Sequence, residues 1–194
     1  MTTQPPSILR LDRRALKVLA HPLRSRLLTA LRMHGPATAT ALAETLETNT
    51  GATSYHLRKL ASVGLVEETE GGRGRERPWR AATEMHGWTE RDVEGDPDAQ
   101  AATDWLRRHY NHLFMERYQA WLDAQGSWPI EWQDAAGASD YALRLSPARL
   151  LAFEAEFQEL FERYRETRSD AADDPEAEVV QVYLYVFPLD PSPR

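Results

Sequence analysis

Residues 49–66 read NTGATSYHLRKLASVGLV and carry the clearest local pattern in the chain. Asn49 is a good helix N-cap, and Gly64 suits the left-handed turn that ends a helix. Between them, Leu57, Leu60 and Val63 recur at helical spacing. The segment therefore predicts a short helix with one apolar side and one polar side.

Three more helices are predicted upstream. Asp12 can cap a helix that runs to about Ala20, and Pro22 suits the first position of the next one. That second helix stops at Gly35, and Thr38 can cap a third. Downstream, LVEETE and PWRAAT are strand-like runs separated by GGRGRER, whose glycines favour a hairpin tip. Four helices followed by a hairpin are typical of a winged helix-turn-helix.

The fragments LAHPLRSRLLTAL at 19–31 and TSYHLRKLASVGLVEE at 53–68 closely resemble ArsR-like winged helix-turn-helix regulators. The resemblance covers residues 13–83, and its most specific part is the spacing from Ser54-Tyr55-His56-Leu57 through Leu60 to Gly64-Leu65-Val66. Thr53 replaces a position that is usually apolar in that family. The resemblance implies a DNA-binding transcription regulator, usually a repressor, with the helix at 50–63 as its recognition helix.

A recognition helix reads base edges in the major groove, while basic side chains hold the phosphates. Arg58 is the best candidate for base contact, and Arg24 is a candidate for phosphate. The wing arginines can follow the backbone or enter the minor groove. The predicted DNA-binding residues are Thr50, Ser54, Tyr55, Arg58, Lys59, Arg73, Arg75, Arg77 and Arg24.

The net charge of −7 argues against nucleic acid until it is divided along the chain. Residues 1–90 carry 13 Lys and Arg against 9 Asp and Glu, whereas residues 91–194 carry 10 against 21. Phosphate attraction depends on the local field. The basic half is therefore the half that carries the helix-turn-helix.

The acidic half predicts a second domain. Residues 84–98 are interpreted as a linker, and a long amphipathic helix follows whose stripe suits dimerisation. That stripe holds Leu106, Tyr110, Leu113, Phe114 and Trp121. Alternation predicts strands at 140–146 and 179–187, and Ser146 with Pro147 predicts a helix between them. We expect an α+β protein: a winged helix-turn-helix at 1–83, and a dimerisation and effector domain at 99–194 in which helix, strand, helix and strand alternate.

Aromatic side chains are concentrated in this second half, and aromatic clefts suit apolar or ring-containing ligands. Candidate ligand residues are Trp128, Trp132, Tyr183 and Tyr185, although the same rings could form the dimer interface. The strand predicted at 179–187 is apolar on both faces, so a partner subunit or a ligand is expected to cover one of them.

Other chemistries have little support. The chain has no cysteine, no phosphate-binding glycine loop and no hydrolase or zinc-protease motif, so we expect neither an enzyme nor a cofactor. His109, His112 and Glu116 share a helix face, but such a face is usually only solvated, and no metal is predicted. Without a membrane-length apolar run or a signal peptide, a cytoplasmic protein with no membrane partner is expected.

The expected partners are double-stranded DNA with an imperfect palindromic operator, a second copy of the chain, and a small apolar or aromatic effector. Two alternatives remain open. A ligand-independent regulator would use its C-terminal domain only for dimerisation, and a filled aromatic core would favour it. A protein-interaction adaptor would have lost DNA binding, and a positive patch broken between Arg58 and the wing would favour that.

Overall fold

A computed structural model describes residues 9–69, 77–83, 85–166 and 174–190. The chain divides into two compact units, Met1–Leu113 and Phe114–Arg194. After a short strand, described below, the first unit has four helices: α1 at Arg13–Leu19, α2 at Pro22–His34, α3 at Ala39–Thr45 and α4 at Thr50–Ala61. All four begin and end close to the predicted positions.

Local capping explains where these helices begin. The side chains of Asp12, Thr38 and Asn49 each accept a hydrogen bond from the backbone N–H three residues ahead, at 2.7, 3.2 and 2.8 Å. Such bonds satisfy donors that the first turn of a helix leaves unpaired. Gly64, with φ of 72°, reverses the chain beyond α4 in a conformation that glycine adopts without steric cost.

The wing hairpin is present as predicted. Strands β2 at Val66–Glu68 and β3 at Trp79–Ala81 pair antiparallel. Ala37 exchanges two backbone hydrogen bonds with Trp79, at 2.8 and 3.0 Å, so the hairpin is tied to the chain before α3. The N-terminal winged helix-turn-helix of the predicted α+β fold is thus confirmed. The predicted tip with Arg73 and Arg75 lies outside the described residues.

The segment predicted as a linker, 84–98, is instead folded into the first unit where it is described. Strand β4 at His86–Gly87 pairs in parallel with β1 at Leu9–Arg10, and helix α5 at Glu90–Val93 follows. Salt bridges join Arg10 to Asp92 at 2.8 Å and Lys17 to Asp96 at 2.9 Å. The Arg10 hydrogen bond is the main reason that the pKa of Asp92 is lowered to about 2.

The long helix α6 at Pro97–Ala124 was predicted at this position, but its first half has a different role from the one expected. Ala99, Ala102 and Leu106 are buried in the same core as Leu57 and Leu60 of α4. Leu106, predicted for dimerisation, has no exposed surface in the subunit and packs in the core of the first unit. The winged helix-turn-helix core extends to Leu106 because α6 supplies the apolar cover that the four short helices lack.

A chain of polar contacts accompanies this packing. Arg32 of α2 lies 2.7 Å from Nδ1 of His86, and Nε2 of His86 lies 3.0 Å from the hydroxyl of Tyr110 on α6. Arg32 also donates to the carbonyl of Thr83 at 3.0 Å. Since a guanidinium can only donate, Nδ1 must accept, and Nε2 then carries the imidazole proton. The contacts fix one tautomer of His86 and join three elements of the unit.

The second unit contains the end of α6, a 3₁₀ turn at Gln125–Ser127, α7 at Ile130–Ala135 and α8 at Pro147–Glu166. The start of α8 is as predicted, with the Ser146 hydroxyl accepting from the N–H of Arg149. The strands predicted at 140–146 and 179–187 are not formed, since neither segment is in a hydrogen-bonded ladder. Alternation indicates an extended preference, whereas a strand also needs a partner. In the described part of the chain, no helix combines the length and apolarity needed to cross a bilayer.

Thr53 provides a test of this core. Its side chain is fully buried on α4, and its hydroxyl has no hydrogen-bond partner among the described residues. A buried unsatisfied hydroxyl costs on the order of 1 kcal/mol, and valine keeps the branched shape without it. Thr53→Val should therefore raise the free energy of unfolding by roughly that amount, measured by urea denaturation. Thr50→Val, on the exposed side of α4, is the control; equal effects would contradict the argument.

His86 makes stability depend on pH. Burial, with a smaller contribution from Arg32, lowers its pKa from 6.5 to about 3. The unfolded chain therefore binds this proton more readily, so the contribution to stability is complete above pH 6.5 and falls as the pH drops towards 3. Between pH 7.5 and 5, His86→Gln should lose less unfolding free energy than the wild type, by up to about 2 kcal/mol.

Urea denaturation at three pH values in that range provides the measurement. His34→Gln replaces a histidine with an exposed side chain and should keep the wild-type dependence. A His86→Gln slope equal to that of the wild type would show that His86 does not resist protonation in the folded state.

Candidate nucleic-acid interface

The outer side of α4 brings most of the predicted contact residues together. Thr50, Tyr55, Arg58 and Lys59 are exposed, and Ser54 is partly so. Thr53, Leu57 and Leu60 turn inward, which holds the opposite side in place. The Lys59 ammonium lies 5.6 Å from the centre of the Tyr55 ring, a cation–π distance. The helix thus presents hydroxyl and cationic donors on a fixed backbone.

Among the described residues, neither Arg58 nor Lys59 forms a salt bridge. Arg58 sits in the last turns of the helix, one turn beyond Ser54. A guanidinium can bond guanine O6 and N7 as a pair, while an ammonium acts as a point charge on phosphate. The two cations therefore suit different parts of a duplex.

Arg24, in the first turn of α2, is a predicted phosphate contact that interacts electrostatically with Tyr55 of this surface. Its Nε atom is buried without a hydrogen-bond partner among the described residues. Burial lowers the pKa of Arg24, and the Tyr55 phenol acts on it in the opposite direction. Arg24 and Tyr55 therefore belong to one electrostatic neighbourhood, which sequence separation alone does not reveal.

His21 and His56 are residues that the sequence does not single out as part of this surface. Their ring centres lie 4.4 Å apart, joining the start of α2 to α4. Nδ1 of His21 also accepts from the N–H of Leu23 at 3.2 Å and so caps α2. Burial is the main cause of the lowered pKa of both histidines. His21 directly before Pro22 was the one available signal, since proline favours the first position of a helix.

The described part of the wing is less basic than its sequence indicates. Arg77 lies 3.8 Å from Glu68, and Arg80 lies 2.7 Å from Glu67 on the facing strand. Glu67 and Arg80 are register partners, so strand pairing itself brings them together. Of the predicted wing contacts, Arg77 thus has an acidic neighbour, and Arg73 and Arg75 lie outside the described residues.

In the second unit, the predicted ligand residues fall into two aromatic groups. Trp128 lies edge-on to both Trp121 and Trp132, with ring centres 5.7 and 5.8 Å apart. Tyr183 and Tyr185 pack on Phe114, at 4.7 and 5.4 Å. Phe114 and Trp121, predicted for dimerisation, are therefore engaged with rings of their own chain.

His109, His112 and Glu116 share a helix face, and in the structure His109 contacts an aromatic ring. His109 stacks on Trp105 with ring centres 4.6 Å apart. No three potential metal ligands gather at one place among the residues that the structure describes.

The match to a known protein family falls within the first unit. A family model described as a helix-turn-helix domain matches residues 19–69, from the end of α1 to β2 and just beyond. No curated protein matches the chain.

Two solved structures are among those that match. One is the homodimeric winged helix-turn-helix DNA-binding domain of a possible ArsR-family transcriptional regulator from Mycobacterium bovis, with 26% identity and a TM-score of 0.34, covering 52% of this chain and 79% of that one. The other is a mutant of Lactococcus lactis ZitR, with 16% identity and a TM-score of 0.26, covering 83% of this chain and 82% of that one.

Both TM-scores are low, so the assignment depends on the family match and on the geometry of the chain itself. The matched region contains α2, α3 and α4 in helix-turn-helix order, and the hairpin of β2 and β3 follows as the wing. These are also the residues that carry the resemblance found in the sequence. The first unit of the chain contains a helix-turn-helix domain, and the hairpin of β2 and β3 that follows makes it a winged helix-turn-helix.

Proposed function

We propose that this protein is a sequence-specific DNA-binding transcription regulator, acting in the cytoplasm as a homodimer without catalytic activity. The observation that carries the proposal is the outer side of α4. It combines an exposed guanidinium at Arg58, an exposed ammonium at Lys59 and a phenol at Tyr55 on a helix whose other side is anchored in the core. A rigid helix with donors on one side is what major-groove reading requires.

The neighbouring elements support a phosphate-binding rim around this helix. Arg24 lies beside Tyr55, and the wing hairpin follows α4 directly in the chain. Arg73 and Arg75 are proposed as wing contacts from sequence alone. Arg77 is proposed as a weaker one, because Glu68 lies close to it. Phosphate contacts set register, so α4 supplies sequence preference and the rim supplies affinity.

A homodimer follows from how such domains meet DNA. One helix-turn-helix contacts only a few base pairs, and two related by a twofold axis contact half-sites about 10 bp apart. The operator is then an imperfect palindrome. Repression is the mode that the family resemblance implies, since a dimer on an operator excludes other proteins from the same DNA.

A small apolar or aromatic effector is a further element of the proposal. Its candidate residues, Trp128, Trp132, Tyr183 and Tyr185, lie in the second unit in two aromatic groups. An effector can change operator affinity only by binding one state of the dimer more tightly than the other. Without such a ligand, the protein would be a ligand-independent regulator with the same DNA-binding unit.

The proposal predicts a specific response to loss of Arg58. Arg58→Ala should reduce the preference for the protein's own promoter DNA over shuffled DNA by roughly 5- to 150-fold, the equivalent of about 1–3 kcal/mol. A variant with Arg73, Arg75 and Arg77 changed to alanine should weaken both DNAs alike and reduce the salt dependence of binding. Fluorescence anisotropy over several salt concentrations measures both effects.

Arg149→Ala is the matched control, since it removes one exposed arginine from α8 in the second unit. It should bind like the wild type. If the wild type shows no preference for promoter DNA at any salt concentration, the protein-interaction adaptor becomes the better account of the domain.

A further inference from the structure

Four side chains meet where the start of α2 lies against α4, and we call them the histidine cluster: His21, Arg24, Tyr55 and His56. The rings of His21 and His56 are 4.4 Å apart, and the Tyr55 ring lies edge-on to His56 at 5.1 Å. Arg24 lies close enough to influence the pKa of both imidazoles. Since Tyr55 also belongs to the exposed side of α4, the cluster borders the surface proposed to bind DNA.

In the described part of the chain, no anionic group partners this cluster. Arg24 forms no salt bridge there, and its Nε atom is buried without a hydrogen-bond partner. No carboxylate is among the groups that shift the pKa of His21, Arg24 or His56. A guanidinium that is partly removed from water loses hydration, and a counter-ion normally replaces it. The cluster therefore has the composition of an anion-binding site.

The two imidazoles differ in the hydrogen bonds that they make. Nδ1 of His21 already accepts from the N–H of Leu23. His56 makes no hydrogen bond to any described residue, and of its two ring nitrogens it is Nδ1 that is buried without a partner. Nε2 is then the atom of His56 that a ligand can reach. His56 is thus the imidazole that is free to gain a proton and to donate to an anion.

Without an anion, His56 is neutral at pH 7. Burial is the main cause of its lowered pKa, and His21 and Arg24 act in the same direction. The other elements that pack on α4, namely α1, α3 and β2, supply no described group that shifts this pKa. A phosphate beside Arg24 would favour the protonated imidazole, because an opposite charge within a few ångströms stabilises the charged form. Phosphate binding and proton binding at His56 must then strengthen each other.

We propose that His56 is a phosphate-binding residue of the DNA surface. It takes up a proton from solvent when DNA binds, and it donates from Nε2 to an oxygen of a backbone phosphate that Arg24 also contacts. The inference rests on the proposed function and deepens it, because it makes DNA affinity increase as the pH falls. A phosphate contact carries no sequence information, so promoter and shuffled DNA should gain alike.

The first test is fluorescence anisotropy of the full chain with both DNAs at pH 6, 7 and 8 and constant ionic strength. One linked proton changes a dissociation constant by up to about tenfold per pH unit. For the wild type, we expect dissociation constants on the order of tenfold lower at pH 6 than at pH 8. His56→Gln keeps an N–H donor but cannot become charged. It should bind like the wild type at pH 8 and lose most of the increase at pH 6.

Two further histidine variants assign the proton. His34→Gln, at the exposed end of α2, is the matched control and should keep the wild-type increase. His21→Asn removes the neighbouring imidazole but leaves a side chain that can cap α2, and it should keep the increase as well. An increase that is lost in His21→Asn and kept in His56→Gln would assign the proton to His21 and overturn the proposal.

A second measurement counts the protons directly. Isothermal titration calorimetry of promoter binding at pH 7, in two buffers with different ionisation enthalpies, gives the number of protons taken up for each complex formed. The wild type should take up about half a proton per subunit more than His56→Gln. This difference is expressed per bound complex, so a smaller folded fraction of the variant does not imitate it. Equal uptake by the two proteins would overturn the proposal.

The outcomes separate this inference from the proposed function. A preference for promoter DNA with an affinity that does not change with pH would contradict the inference alone. Binding that depends on pH through His56, without any preference for promoter DNA, would contradict the sequence-specific regulator alone. A chain that binds neither DNA at any of these pH values would overturn both.

Discussion

The packing of α6 onto the winged helix-turn-helix is the constraint on which the first unit depends. Four short helices and a hairpin cannot bury their own apolar side chains, and Ala99, Ala102 and Leu106 complete the core. The contacts from Arg32 through His86 to Tyr110 then fix the position of α6 along and around its axis. Apolar packing alone would tolerate small rotations, whereas a buried polar chain is satisfied in one arrangement.

Features determined by neighbouring residues could be predicted from the sequence. Helix starts at Asp12, Thr38 and Asn49 depend on one side chain and a backbone N–H three residues away. The wing and the exposed side of α4 were predictable for the same reason. The parallel pairing of Leu9 with His86 was not, since it joins residues far apart in sequence through a two-residue strand with no periodicity of its own.

Sequence periodicity and charge also leave open which groups a side chain will contact. The helix stripe from Leu106 to Trp121 indicated correctly that a large apolar partner was needed, but periodicity does not say whether that partner is the same chain. Likewise, the alternation at 179–187 indicated two apolar faces, and in the structure Tyr183 packs on Phe114 while side chains on both faces of the segment stay exposed. Wing electrostatics were overestimated because Glu67 and Glu68 face Arg80 and Arg77 across the hairpin.

The N-terminal cap of α2 depends on the protonation state of His21. Nδ1 of His21 accepts the N–H of Leu23, and a protonated imidazole has no lone pair with which to accept. The helix that precedes the turn therefore keeps its cap only while His21 is neutral, unlike helices capped by an Asn or Thr. Burial beside His56 and Arg24 lowers the pKa of His21 and favours that neutral form. The cationic surroundings that suit a polyanion thus also protect the start of α2 against mild acid.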